Sequence, residues 1–135
     1  MKDVLFIIGS ESDREAVAPG VELLREKGLS FTLEVISAHR DLSKLIAFLK
    51  EEEPSYRVII TAAGLSAALP GVVASLTTRP VIGIPLVAGA LSGVDALLSI
   101  LQLPKGIPVA TMGIGKQGVL NAVHLAERII NLTRS

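Results

Sequence analysis

Five short apolar runs, each followed by a stretch with helical spacing, predict an α/β fold: one domain with helices on both faces of a doubly wound parallel sheet. Two further observations point the same way. The alternation runs through all 135 residues with no linker, repeat or low-complexity segment, and that length suits a single domain with a real core. Apolar residues make up 50% of the chain and charged residues 19%, so both sheet faces should be covered, or apolar surface is left for other subunits.

The elements follow in order. Val4 to Ile8 reads as a buried parallel strand that ends in Gly9-Ser10-Glu11-Ser12-Asp13. A helix follows from about Asp13 to Lys27, with Val17, Val21 and Leu24 at helical spacing and Gly28 as its stop. Pro19 lies inside it and predicts a kink or a late start. Phe31 to Ile36 alternates as a second strand, and Ser43 to Glu52 is a helix with Leu45, Ile46 and Leu49 on one face. Arg57 to Thr61 is the third strand, feeding a Gly/Ala/Ser loop, and a short helix runs from Pro70 to Leu76. Pro80 to Pro85 and Pro108 to Met112 complete the strands, and helices at Gly93 to Gln102 and about Gly118 to Leu132 complete the other layers. The whole is a single-domain three-layer sandwich of flavodoxin/Rossmann-like type. Right-handed crossovers put every loop that follows a strand on one edge of such a sheet, where ligands bind.

Composition excludes several classes. Net charge is zero, with 13 basic and 13 acidic residues, and aromatics are 3%, so neither a basic field nor stacking platforms exist for nucleic acid. Cysteine is absent, which removes disulfides, thiolate catalysis and cysteine-zinc sites. The acids and the two histidines show no metal-binding spacing. The first apolar run is too short for a signal-peptide core, and Pro and Gly break later runs before a membrane span, so no membrane role and a cytoplasmic setting are expected.

Three strand-end loops carry candidate chemistry. Gly9-Ser10-Glu11-Ser12-Asp13 offers a glycine, two hydroxyls and free helix amides, a cradle for phosphate or carboxylate; Ser12 or Asp13 serves equally well as a helix cap. An Asp in that position needs donors, which ribose hydroxyls supply. Ser37-Ala38-His39-Arg40 places an imidazole that titrates near neutrality beside a guanidinium that holds anions bidentately. That pair suits proton transfer on an anionic substrate, and its bland alternative is a polar loop with an exposed histidine. Ala62 to Gly71 is dense in small residues, which let backbone amides approach a ligand closely or simply let helix and sheet pack tightly. His124, among Ala122, Val123, Leu125 and Ala126, reads as a structural or surface histidine.

Together these loops, with Ala68 to Ala74, Pro80 to Pro85, Ala90 to Ile100, Gly106 to Thr111 and Asn121-Ala122, resemble one family along essentially the whole chain. It is the PurE-type family of purine biosynthesis, comprising N5-carboxyaminoimidazole ribonucleotide mutases and aminoimidazole ribonucleotide carboxylases. The resemblance implies that Ser10, Ser12 and Asp13 hold the phosphate and ribose. It implies that Ser37, Ala38, His39 and Arg40 form the loop that moves the proton and binds phosphate, with His39 as general acid/base. Ala63, Gly64 and Leu69 would pack on the imidazole and the migrating carboxylate. It further implies no metal or organic cofactor, a homo-octamer with sites between subunits, and cooperation with an ATP-dependent synthetase that makes the carbamate substrate.

The sequence departs from the family pattern in places. Mutase-type members usually carry a second histidine where this chain has Ala68; carboxylase-type members lack it but usually have lysine in place of Arg40. Leu69-Pro70-Gly71 and Ser92-Gly93-Val94-Asp95 lean to the mutase, with direct carboxylation and a non-catalytic nucleotide-binding protein as alternatives. The loop Leu86 to Ala90 lacks the polar residues common there. Residues 1–135 read as a single PurE-type domain that stops at Ser135, before the further helix that family members usually have.

Overall fold

A computed structural model describes residues 1–134; Ser135, and with it the expectation about the chain's last position, lies outside the described residues. Five parallel strands, β1 (Lys2–Ile8), β2 (Phe31–Val35), β3 (Tyr56–Ala63), β4 (Val81–Pro85) and β5 (Ala110–Thr111), form one sheet in the order β2-β1-β3-β4-β5. Between and after them run α1 (Arg14–Glu26), α2 (Leu42–Glu52), α3 (Leu69–Ser75), α4 (Val94–Leu101) and α5 (Lys116–Thr133). Consecutive residues of a strand face opposite layers, so the continuous apolar runs feed two cores at once. Val4, Phe6, Ile8, Val58 and Ile60 pack under α1 and α5 with Val17, Leu24, Val119 and Val123. Leu5, Ile7, Ile59 and Val81 pack under α2, α3 and α4 with Leu45, Leu49, Val73 and Ile100.

The predicted architecture and all ten elements are present, with differences of physical interest. Helix α1 neither starts late nor breaks at Pro19. The carbonyl that a proline at 19 leaves without an intrahelical donor belongs to Glu15, which is exposed to solvent. The next residue, Gly20, is buried at the crossing with α5; a Cβ there would stand 2.6 Å from Val119 Cγ1. Ile46 is not on the buried face of α2: it is 43% exposed, and Phe48 joins Leu45 and Leu49, the i, i+3, i+4 set that one helix face requires. Strand β5 pairs only over Ala110–Thr111, because Pro108 has no N–H to donate.

The strand order reverses its direction of growth between β1 and β3, which leaves a crevice at their C-terminal ends. The loops that follow β1, β2 and β3 meet there.

Candidate active site

A cavity of about 300 Å³ opens at that crevice. Ser10, Ser12 and Asp13 line it from the loop after β1, Ser37, Ala38, His39 and Arg40 from the loop after β2, and Ala63, Gly64 and Leu69 from the end of β3 and the start of α3. The structure thus brings together all ten residues singled out in the sequence. Gly9, Leu65, Ser66, Ala68 and Ala88 complete the wall. Gly9, Leu65, Ser66, Ala68 and Ala88 all fall within stretches singled out in the sequence, but the individual parts of Ser66, a main-chain carbonyl, and of Ala88, a methyl group, have no side-chain signature of function.

Each loop is fixed by its own hydrogen bonds. Ser10 is extended and its hydroxyl accepts the Ser12 amide at 3.3 Å, capping a single 3₁₀ turn over Glu11–Asp13. The cap expected at Ser12 or Asp13 therefore falls on Ser10, because the 3₁₀ turn begins three residues before the α-helix. Asp13 makes no side-chain capping bond, and the Ser10 and Ser12 hydroxyls lie 2.9 Å apart. Partial burial pushes the Asp13 carboxyl above its ordinary range, against a backbone hydrogen bond from Ser10 that pulls it down. In the second loop the Ser37 hydroxyl accepts the Arg40 amide at 3.1 Å and its carbonyl accepts the Asp41 amide at 3.0 Å, a turn that holds His39 and Arg40 outward.

His39 Nε2 lies 3.0 Å from the Ser66 carbonyl oxygen, so the second and third loops are joined across the cavity. The small residues allow this close meeting. A Cβ at Gly64 would stand 2.7 Å from the Ala88 methyl, so any larger residue would push the loop after β4 away. Leu65 follows at φ 55°, a left-handed conformation uncommon for a residue with a branched side chain.

The cavity therefore has one imidazole, one guanidinium, one carboxylate and several hydroxyls set against a wall of alanines and leucines. That inventory suits an anionic, hydroxylated ligand with a flat apolar part and one proton to move. A second hollow of about 360 Å³, between Ile100 and Val109, has no ionisable side chain in its lining and offers no such chemistry. His124 is exposed on α5, as its neighbours suggested. Among the described residues no group of acids and histidines is arranged to hold a metal ion, and no helix is long and apolar enough to cross a membrane.

The AIR carboxylase family model matches residues 3–135. An N5-carboxyaminoimidazole ribonucleotide mutase of Brucella melitensis is 45% identical over 131 residues, covering 96% of this chain and 81% of that protein. Proteins of the same name from Saccharolobus solfataricus and Escherichia coli K12 are 46% and 45% identical, and the chain spans 83% and 76% of their lengths. The crystal structure of Treponema denticola PurE superposes with a TM-score of 0.86 at 30% identity, covering 96% of this chain and 80% of that one.

Proposed function

The chain belongs to the AIR carboxylase family, and from that premise we propose that it is an N5-carboxyaminoimidazole ribonucleotide mutase of purine biosynthesis. The observation that carries this reading is the convergence of His39, Arg40 and the Ser10-Ser12-Asp13 loop on one cavity, in a chain about 45% identical to proteins of that name.

In this reading Arg40 and the hydroxyls of Ser10 and Ser12 hold the phosphate, and Asp13 accepts from ribose hydroxyls. Ser37 and Ala38 shape the turn that presents His39. The carbamate on the exocyclic nitrogen breaks its N–C bond, releasing carbon dioxide against Ala63, Gly64 and Leu69. Ring carbon 4, nucleophilic because the aminoimidazole is an enamine, attacks that carbon dioxide. His39 takes the proton from carbon 4 and delivers one to the exocyclic nitrogen, so the isomerisation balances with no net proton change. A closed wall of small residues keeps carbon dioxide at high effective concentration.

The reading includes a cytoplasmic homo-oligomer, an octamer by family resemblance, supplied with carbamate by an ATP-dependent synthetase. An apolar stripe supports self-association: Val94, Leu98 and Leu101 recur on one face of α4 and remain about half exposed, with Leu91 just before them. Sedimentation as a monomer at micromolar concentration would remove that part.

Ala68 favours a second reading, direct carboxylation of aminoimidazole ribonucleotide, since mutase-type relatives usually have histidine there. Turnover of N5-carboxyaminoimidazole ribonucleotide, measured beside aminoimidazole ribonucleotide with bicarbonate, decides between them. Consumption of the carbamate is expected; turnover of only the second substrate overturns the mutase assignment.

A further inference from the structure

We infer that the main-chain carbonyl of Ser66 sets the tautomer of His39, fixing the proton on Nε2 and leaving Nδ1 as the nitrogen that exchanges a proton with the substrate. The inference rests on the proposed function for the identity of the reaction, but the tautomer itself does not depend on it.

A carbonyl oxygen only accepts, so the nitrogen 3.0 Å away must donate. A neutral imidazole has a single N–H, and with that hydrogen on Nε2 the lone pair stands on Nδ1. No group among the described residues bonds Nδ1, so none of them competes for that lone pair.

The carbonyl is itself held in place. It also accepts the Ala68 amide, at 2.8 Å, so both its lone pairs are used. Ala68 caps α3, and its own carbonyl accepts the Val72 amide at 3.0 Å. The imidazole is thereby tied through one oxygen to the start of a helix rather than to a free loop. Leu65, left-handed at φ 55°, turns the chain immediately before Ser66.

This geometry spares the ring any reorientation during turnover. Nδ1 of the neutral ring takes the proton from ring carbon 4, and the imidazolium so formed keeps its Nε2–H on Ser66. Nδ1 then gives its proton to the exocyclic nitrogen, which restores the starting tautomer. Were Nε2 the working nitrogen, the bond to Ser66 would have to break in each cycle. The main-chain groups at 66 and 68 also explain how position 68 still acts on His39 when its side chain is only a methyl.

The test uses the full chain, 15N-labelled, with His124→Gln removing the other histidine. Long-range 1H–15N correlation above the histidine titration should show a protonated Nε2 and a bare Nδ1. The opposite pattern overturns the inference. Nδ-methylhistidine placed at position 39 blocks Nδ1 and spares Nε2–H; turnover should fall by about 10²-fold or more, whereas a loss below about tenfold overturns the role of Nδ1. An active enzyme with the opposite tautomer sinks this inference alone. An Nε2–H tautomer in a chain that turns over neither ribonucleotide sinks the proposed function, and the proton role of Nδ1 with it.

Discussion

Two aspartates at opposite ends of the first strand show how differently one chain treats the same side chain. Asp3, near the start of β1, is 4% exposed, and its oxygens accept the Ser30 amide at 3.0 Å and the Arg134 guanidinium, with Arg57 3.9 Å away. Asp13, beyond the strand's far end, is partly buried and has no cation beside it among the described residues. Asp3 is saturated and joins β1, the loop before β2, β3 and the residue that follows α5. Asp13 is desolvated and short of donors, which is the state of a group that awaits a ligand. Arg40 is its counterpart, an exposed cation with no ion pair among the described residues. In this pair, saturation goes with the structural end of the strand and deficit with the candidate site.

Variants at the two ends can break this contrast. His39→Asn should lower turnover by about 10²–10⁴-fold while calorimetric nucleotide affinity stays within a few-fold. Substantial residual turnover would take His39 out of the proton transfer. Asp3→Ala, at the other end, removes the acceptor of the Ser30 amide and of the Arg134 guanidinium and should cost about 1–3 kcal/mol in urea unfolding while leaving kcat and KM of the folded protein unchanged. A parallel loss of kcat would show that the two ends are not independent.

Arg40→Ala should weaken nucleotide binding by about 1.5–3 kcal/mol with an unaltered melting temperature. Equal affinity would remove its phosphate role. The smallest effect belongs to Asp13→Asn. Because burial raises the folded carboxyl above its ordinary value, the native state holds that proton more tightly than the unfolded chain. The contribution of Asp13 to folding stability therefore falls as pH rises through the carboxylate range, and removing the charge should raise the melting temperature at neutral pH. The gain should vanish in acid below the ordinary aspartate range, and ribonucleotide affinity should drop throughout. A lower melting temperature at neutral pH would show Asp13 to be structural after all.

The saturated end was the less legible of the two in the sequence. Asp3, Arg57 and Arg134 are far apart along the chain and carry no motif, so their meeting depends on where β1, β3 and α5 lie. The loop residues were legible because parallel topology sends every strand-end loop to one edge, whatever the strand order. Strand extents were harder. Ala62-Ala63 reads as the start of a small-residue loop, yet it continues β3, because Ala62 pairs with both β1 and β4 and Ala63 pairs with β4. Ile46 was misplaced because it adjoins Leu45, and adjacent residues on a helix do not share a face. Ser66 was out of reach, since its contribution is a carbonyl that any residue would supply.

The crossing of α1 and α5 at Gly20 has a consequence for synthesis. Val119 fills the space at Gly20, and Lys27 bonds Glu127 across 100 residues of sequence. The loop that carries Ser10, Ser12 and Asp13 leads directly into α1, so the first loop of the pocket to leave the ribosome is braced by α5, a helix made about 100 residues later. Until Lys116–Thr133 emerges, Val17, Val21 and Leu24 lack their cover, and the nascent chain presents an apolar face open to chaperones. A ribosome stalled before residue 116 should therefore yield chains that are protease-sensitive at α1 even though all five strands have been translated.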